Sequence, residues 1–162
     1  MIPEPAPDND YLPAHADLLI RSYRRLTGRD LVDPGLSPRA AARFLYHAEF
    51  VVLSHDTAPD PLFTYANLAA QARFEMPWRE IVGMPSRLSA EPLARQARAQ
   101  LLETVGRQGY IDSYCGVRIA RSGRRFLIEN ATVWNLGDET GGHQGQAAMF
   151  SECRDLVEPV SA

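Results

Sequence analysis

The sequence contains no lysine, and all 17 residues of its Lys+Arg count are arginine. A phosphate-binding loop of the lysine type and a Schiff-base site for a pyridoxal or aldehyde cofactor both need that amine, so both are excluded. Cysteine is scarce. Cys115 and Cys153 stand in no CxxC or other metal-ligand spacing, and in a reducing cytosol they are expected to be free thiols. His15, His47, His55 and His143 share no metal-site spacing either. No apolar run approaches the roughly 20 residues of a membrane span. The opening MIPEPAPDNDYLP is acidic and proline-rich, which is not the pattern of a signal peptide. The formal net charge of -3 gives no electrostatic reason to expect nucleic acid or an anionic membrane as partner. A cytoplasmic protein is the expectation.

What is present is one domain's worth of chain, 162 residues with 45% hydrophobic content, enough to bury a substantial core. Residues 1–13 carry four prolines and read as a flexible arm. A helical extension over 14–36 follows, with Leu19, Tyr23 and Leu26 at helical spacing and Gly28 as a stop. "LSPRAAARFLYHAE" has Ser37 to cap it and Pro38 in the first turn. "FVVLSHD" and "LFTYA" are strands on either side of an "APDP" turn. Asn67 then caps a helix, "PWREIVGM" gives a short one, and 89–108 a long one with Leu93, Ala97, Leu101 and Val105 on one stripe. Three further strands follow, at 110–120, 125–136 and 143–152. This order predicts an α+β fold over residues 37–157: a five-stranded antiparallel sheet with helices on one face, preceded by two N-terminal helices. Residues 158–162 are a tail.

Four blocks of this sequence carry a resemblance: "FTYANLAA", "PSRLSAEP", "IENATVWNL" and "GQAAMF". Together, over about residues 37–155, the chain resembles the MEKHLA domain, a PAS-like family found in certain plant homeodomain-leucine-zipper regulators and as short free-standing bacterial proteins. The free-standing bacterial members are the nearer likeness. The resemblance implies a PAS-like sensory or ligand-binding module and brings no particular ligand with it. Flavin and haem, common in PAS-like domains, are not expected. Ser86 stands where a flavin-reactive cysteine would be, Leu127 and Ile128 replace the asparagines that hold the ring, and 89–108 has no haem-ligating histidine.

Candidate binding residues come mainly from the hairpin 110–134. If Ser122-Gly123 is a two-residue turn, Ile119 pairs with Phe126, Val117 with Ile128, Cys115 with Asn130 and Ser113 with Thr132, while Ile111 meets Trp134. All then share a face, and Ser113, Cys115, Asn130 and Thr132 form a polar patch in an apolar surround. On the other face Arg118 and Glu129 are close enough diagonally to pair. The patch is expected to line a small cavity facing the 89–108 helix, with Leu101, Trp134, Tyr65 and Met84 as wall and Arg87 at its mouth. The competing readings are structural: Asn130 at a bulge bonding backbone, Arg87 fastening a loop through Glu91 or another carboxylate, Asn67 as a plain cap.

Three functions follow from this arrangement. The first is a small-molecule sensor, the second a PAS-like interaction module with a filled core, the third a cone-shaped α+β enzyme. No convergent acid–base pair can be assembled for the third, and His55-Asp56 point to opposite faces of a strand, so no enzyme activity is expected. A homodimer is expected, because the outer hairpin face bears Leu127, Ala131 and Val133 and needs a cover from the leading helix of this chain or of a second copy. Any signal would leave through contact with a separate signalling protein.

Overall fold

Proline or a capping side chain starts the helices where the sequence places them. In the computed structural model, which describes residues 1–90, 95–138, 140 and 142–157, α1 spans Pro13–Thr27 and α2 spans Pro38–His47. The Ser37 hydroxyl accepts the Ala40 N–H at the head of α2, and Gly28 ends α1 with its N–H on the Arg24 carbonyl. Strands β1 (Val51–His55) and β2 (Phe63–Ala66) precede α3 (Leu68–Phe74) and α4 (Trp78–Ile81). Helix α5 (Arg95–Gln108) leads into β3 (Tyr110–Ile119), β4 (Arg125–Gly137), β5 (His143–Phe150) and β6 (Glu152–Asp155). The tail at 158–162, Glu91 and the start of the expected 89–108 stripe at Leu93 lie outside the described residues.

The sheet is antiparallel in the order β2-β1-β5-β4-β3, with β6 also on β4. It therefore has six strands where five were expected. The strand expected at 143–152 breaks at Ser151. β5 pairs with the second half of β4 (Thr132↔Met149 to Gly137↔His143) and β6 with its first half (Phe126↔Asp155 to Glu129↔Glu152). Between these halves sits Asn130 with φ 53.

Helices cover both faces of the sheet. Paired residues share a face, so Ala66, Leu53, Ala148, Val133 and Ile111 form one row across the inner side. Helix α5 packs there through Leu101 and Val105, and further along β4 the Phe74 ring of α3 meets Phe126 edge-on at 5.2 Å. The outer row runs through Tyr65, Ser54, Ala147, Trp134 and Tyr110. Helix α1 lies over it, with Leu19 fully buried, the Trp134 indole N–H on the Leu19 carbonyl at 3.3 Å, and Tyr23 against Trp134 at 5.0 Å. The chain's own leading helix thus covers the outer face, which removes the reason for a second copy to do so. Moreover, Ala131 and Val133 belong to the inner face.

The arm is also ordered. Residues 7–9 form a 3-10 turn and Pro5 is buried. The arm joins α1 through Asp10, Tyr11 and Leu12, all left-handed at φ 52, 63 and 57. For residues with a Cβ that conformation costs about 1–2 kcal/mol each.

Gly145 holds the sheet tight between β1 and β5. It has φ +151, and a Cβ there would sit 2.2 Å from the His55 carbonyl oxygen. Gly145→Ala is therefore expected to cost on the order of 2–3 kcal/mol, read as a lower urea midpoint at unchanged slope.

Candidate functional site

Two bulges decide the fate of the expected polar patch. Beyond the turn, β3 and β4 pair as Ile119↔Arg125, Arg118↔Phe126, Val117↔Leu127 and Gly116↔Ile128, one residue out of the expected register. Asn130 then adds an extra residue to β4 and Ser113 (φ 56) an extra one to β3, after which Ile111 pairs with Val133 and Tyr110 with Trp134. The turn is longer than two residues, closed by the Ala120 N–H on Arg124 O and the Gly123 N–H on Ala120 O. Between the two bulges Tyr114 pairs with Ala131, which is the expected register, but the left-handed backbone at Ser113 and Asn130 takes both residues out of the regular alternation, so the patch does not form. Asn130 is exposed and donates to Glu152 at 2.7 Å. Ser113 and Cys115 are exposed too. Glu129 pairs with Arg154 at 2.7 Å rather than with Arg118, whose guanidinium reaches the Tyr114 hydroxyl at 3.3 Å.

The remaining candidates lie apart. Thr132 is buried beneath the end of α1, donating to Asp112 at 2.9 Å, and Arg29 holds the same carboxylate at 2.6 Å. Burial alone would raise the Asp112 pKa, but the Arg29 and Thr132 hydrogen bonds outweigh it and hold it below the usual value. Trp134 and Tyr65 are fully buried on the outer face. Met84 is partly buried against the main core, its carbonyl accepting from the Phe63 N–H. Arg87 is exposed and straddles Asp60, with Nε 3.2 Å from each oxygen, so it is engaged as a loop fastener. His55 and Asp56 form no dyad: the Asp56 carboxylate accepts the Ala58 and Leu62 N–H groups and closes the turn. Of the nine candidates, Leu101 alone belongs to the contact between α5 and the inner face.

That inner face is the arrangement with room for chemistry. Leu101, Val105 and Val133 form a buried cluster of their own, separate from the main core, with Ile111, Tyr114 and Ala148 packed against it. Tyr114 lies flat along β3. A Cβ on Gly116 would stand 2.7 Å from its hydroxyl, so only glycine admits the ring there. Ala148 is on the central strand between Leu53 (7% exposed) and Val133 (4%), yet it stays partly open. Two residues along, Gln146 joins Asn135, Gly106, Gly109 and the α1 residues Arg25 and Leu26 in lining a groove of about 490 Å³, next to the Ala148 position but not lined by it. A groove of about 730 Å³ beside α2 includes no strand residue in its lining, which comes from α2 and the segments that flank it, with Arg39, Arg43, His47 and Glu49 among its residues.

Flavin does not fit the inner face. Its two strand amides are engaged: Asn135 donates to the Val105 carbonyl at 3.2 Å and Gln146 to the Asn135 carbonyl oxygen at 3.4 Å. Among the described residues no free amide pair remains there for the edge of a flavin ring, and Ser86, in the 3-10 turn Ser86–Ser89, carries no thiol.

With this geometry in view, comparison with known proteins is decisive for the family. The MEKHLA domain model matches residues 13–154. The chain belongs to the MEKHLA domain family. Among solved structures, this MEKHLA domain is similar to the PAS domain of a protein from Colwellia psychrerythraea, at TM-score 0.60 and 13% identity over 73% of this chain and 95% of that one. It is also similar to an RNA-binding light-oxygen-voltage receptor, at TM-score 0.58 and 20% identity over 77% of this chain and 34% of that one. The light-state dimer of the fungal blue-light photoreceptor Vivid gives TM-score 0.57 at 15% identity, over 83% and 93%. These identities establish the fold, that of PAS-like sensory domains. Comparison with curated proteins gives no match.

The outer face of this MEKHLA domain holds polar groups that sequence reading passed over. His15 on α1 stacks on Tyr65 at 5.4 Å, and its Nε2 is hydrogen-bonded to Ser54 Oγ at 3.0 Å, which in turn meets Thr64 Oγ1 at 2.8 Å. Burial pushes the imidazole down to about 4. Burial also raises the Tyr65 phenol, whose sealed hydroxyl has no hydrogen-bond partner. The helical stripe of α1 gave a signal for Leu19 and Tyr23. His15 stands one turn before Leu19 on the same stripe, which was the local signal for its burial, while its partners lie on strands.

Proposed function

We propose that this MEKHLA domain is a sensory domain that binds a small, largely apolar molecule between α5 and the inner sheet face and signals by displacing α5 against a separate protein. The observation that carries the reading is the partial exposure of Ala148, a central-strand residue that a closed helical layer would bury. Around it lie Leu53, Leu101, Val105 and Val133, with Asn135 and Gln146 at the polar mouth. An apolar wall with few polar groups is the usual composition of such sites. Among the described side chains, Leu101 and Val105 pack α5 onto the sheet, and the Asn135 amide donates to the Val105 carbonyl at 3.2 Å. No acid–base pair converges on this face among the described residues, which favours binding over catalysis.

The test is Val133→Phe with thermal denaturation against a panel of small apolar compounds. An incompletely packed layer accepts the larger ring with no loss of stability, whereas a solid one loses about 1–3 kcal/mol by overpacking. The expected result is a ligand that raises the melting temperature of the wild type by several degrees and leaves Val133→Phe unmoved. Destabilised Val133→Phe with no wild-type response to any compound would refute the site.

A further inference from the structure

The arm sits in an aromatic groove as a ligand would. The Trp78 indole N–H donates to the Ile2 carbonyl at 2.9 Å, the Tyr46 hydroxyl donates to the Glu4 carboxylate at 2.9 Å, and Pro5 is buried. Tyr46, Tyr65 and Trp78 stand edge-on to one another at 5.6–6.5 Å, with interplanar angles of 71–89°. Gln71 fixes two of them, donating to the Tyr46 hydroxyl at 3.0 Å and accepting the Trp78 backbone N–H at 3.1 Å. An aromatic groove that takes a proline-rich strand, with an indole N–H on its backbone carbonyl, is a general way of recognising such segments. Proline pre-extends the segment, so little chain freedom is lost on docking.

The groove holds the Ile2 backbone carbonyl, the Glu4 carboxylate and the buried Pro5, and those groups are the same in every copy of the chain. What distinguishes docking onto its own chain is the hinge: Asp10, Tyr11 and Leu12 must all turn left-handed for the arm to fold back. A strained short hinge favours exchange between copies, because the contacts are kept while the turn relaxes. We propose that residues 1–9 exchange between two copies of this chain, each arm docking in the Tyr46–Tyr65–Trp78 groove of the other to make a homodimer. This stands apart from the α5 site and rests on different residues.

Asp10 supplies the test, since it is exposed and its carboxylate pairs with Arg39 at 2.9 Å. Asp10→Pro forbids the left-handed turn, and Asp10→Gly permits it freely. Both lose the Arg39 pair, and because Asp10→Pro also removes the N–H that donates to the Pro7 carbonyl at 3.2 Å, Asp10→Ala, which keeps that N–H, is measured beside them. Sedimentation of the full-length chain should show concentration-dependent dimer, tightened about tenfold or more in Asp10→Pro and weakened about tenfold in Asp10→Gly. In a Cys115→Ser, Cys153→Ser background, copies bearing only Glu4→Cys, labelled there with maleimide-benzophenone, should photo-cross-link to a second copy beside Tyr46, a long label suiting a contact made by side-chain tips. Equal association of Asp10→Pro and Asp10→Gly, a chain monomeric throughout, or a dimer that yields no such inter-copy cross-link would each overturn the proposal.

Discussion

Asn67→Ala is expected to cost about 4 kcal/mol, lowering the melting temperature by roughly 10 °C in a chain of this size. The side chain is fully buried and every hydrogen-bonding position is used. Its carbonyl oxygen accepts the Val52 and Ala70 N–H groups, and its amide donates to the Leu45 and Phe50 carbonyls, at 2.8–3.1 Å. One residue thus ties the end of α2, the start of β1 and the head of α3 together. A helix cap by itself contributes about 1 kcal/mol. The larger figure reflects four backbone groups left in a dry interior. Asn67→Asp keeps the shape and the two accepted bonds but turns a carboxylate oxygen toward two carbonyls, so it should be at least as damaging. Urea titration of the three proteins decides the matter, and an Asn67→Asp within experimental error of wild type would show that the amide donors contribute nothing.

Acid should weaken the wild type through His15 more than through any exposed histidine. The imidazole titrates near 6.5 in the unfolded chain and is pushed down to about 4 in the fold. Between those values the unfolded state carries a proton that the folded state refuses, so stability rises with pH across the window and falls as pH drops from about 6.5 to 4. The shift corresponds to about 3 kcal/mol. His15→Gln cannot titrate. The difference in unfolding free energy between it and wild type should therefore change by about that amount between neutral pH and pH 4, then level off. A difference independent of pH would mean that the ring stays accessible to solvent. The protonated ring would also disturb its bond to Ser54 and its stack on Tyr65, so acid should loosen the α1 contact first.

Much of the architecture could be read before any coordinates. Ser37-Pro38 marks a helix start by local chemistry, and the strand composition of "FVVLSHD" and the hairpin is equally local. The site was less legible, and the reasons are physical. A register inferred from a turn assumes unbroken alternation, but Ser113 and Asn130 each insert a left-handed residue that resets it. Asparagine tolerates that conformation better than most residues, so the polar residue that invited a binding role at position 130 is also one suited to a bulge. The arm reads as loose because proline blocks regular structure. Its order comes from Tyr46 and Trp78, which sequence places far away and the fold brings close. Leu101 and Val105 were visible as a stripe, whereas the partial opening over Ala148 depends on how closely α5 approaches and has no sequence signature.

The most direct test of the α5 site is a titration of isotope-labelled protein with indole, a small apolar probe, followed by two-dimensional amide spectra. Binding between α5 and the sheet predicts saturable shifts centred on Leu53, Val105, Val133 and Ala148, with the outer-face amides of α1 unmoved. An unchanged spectrum at saturating indole, or shifts confined to the α2 groove around Arg43 and Phe44, would contradict it.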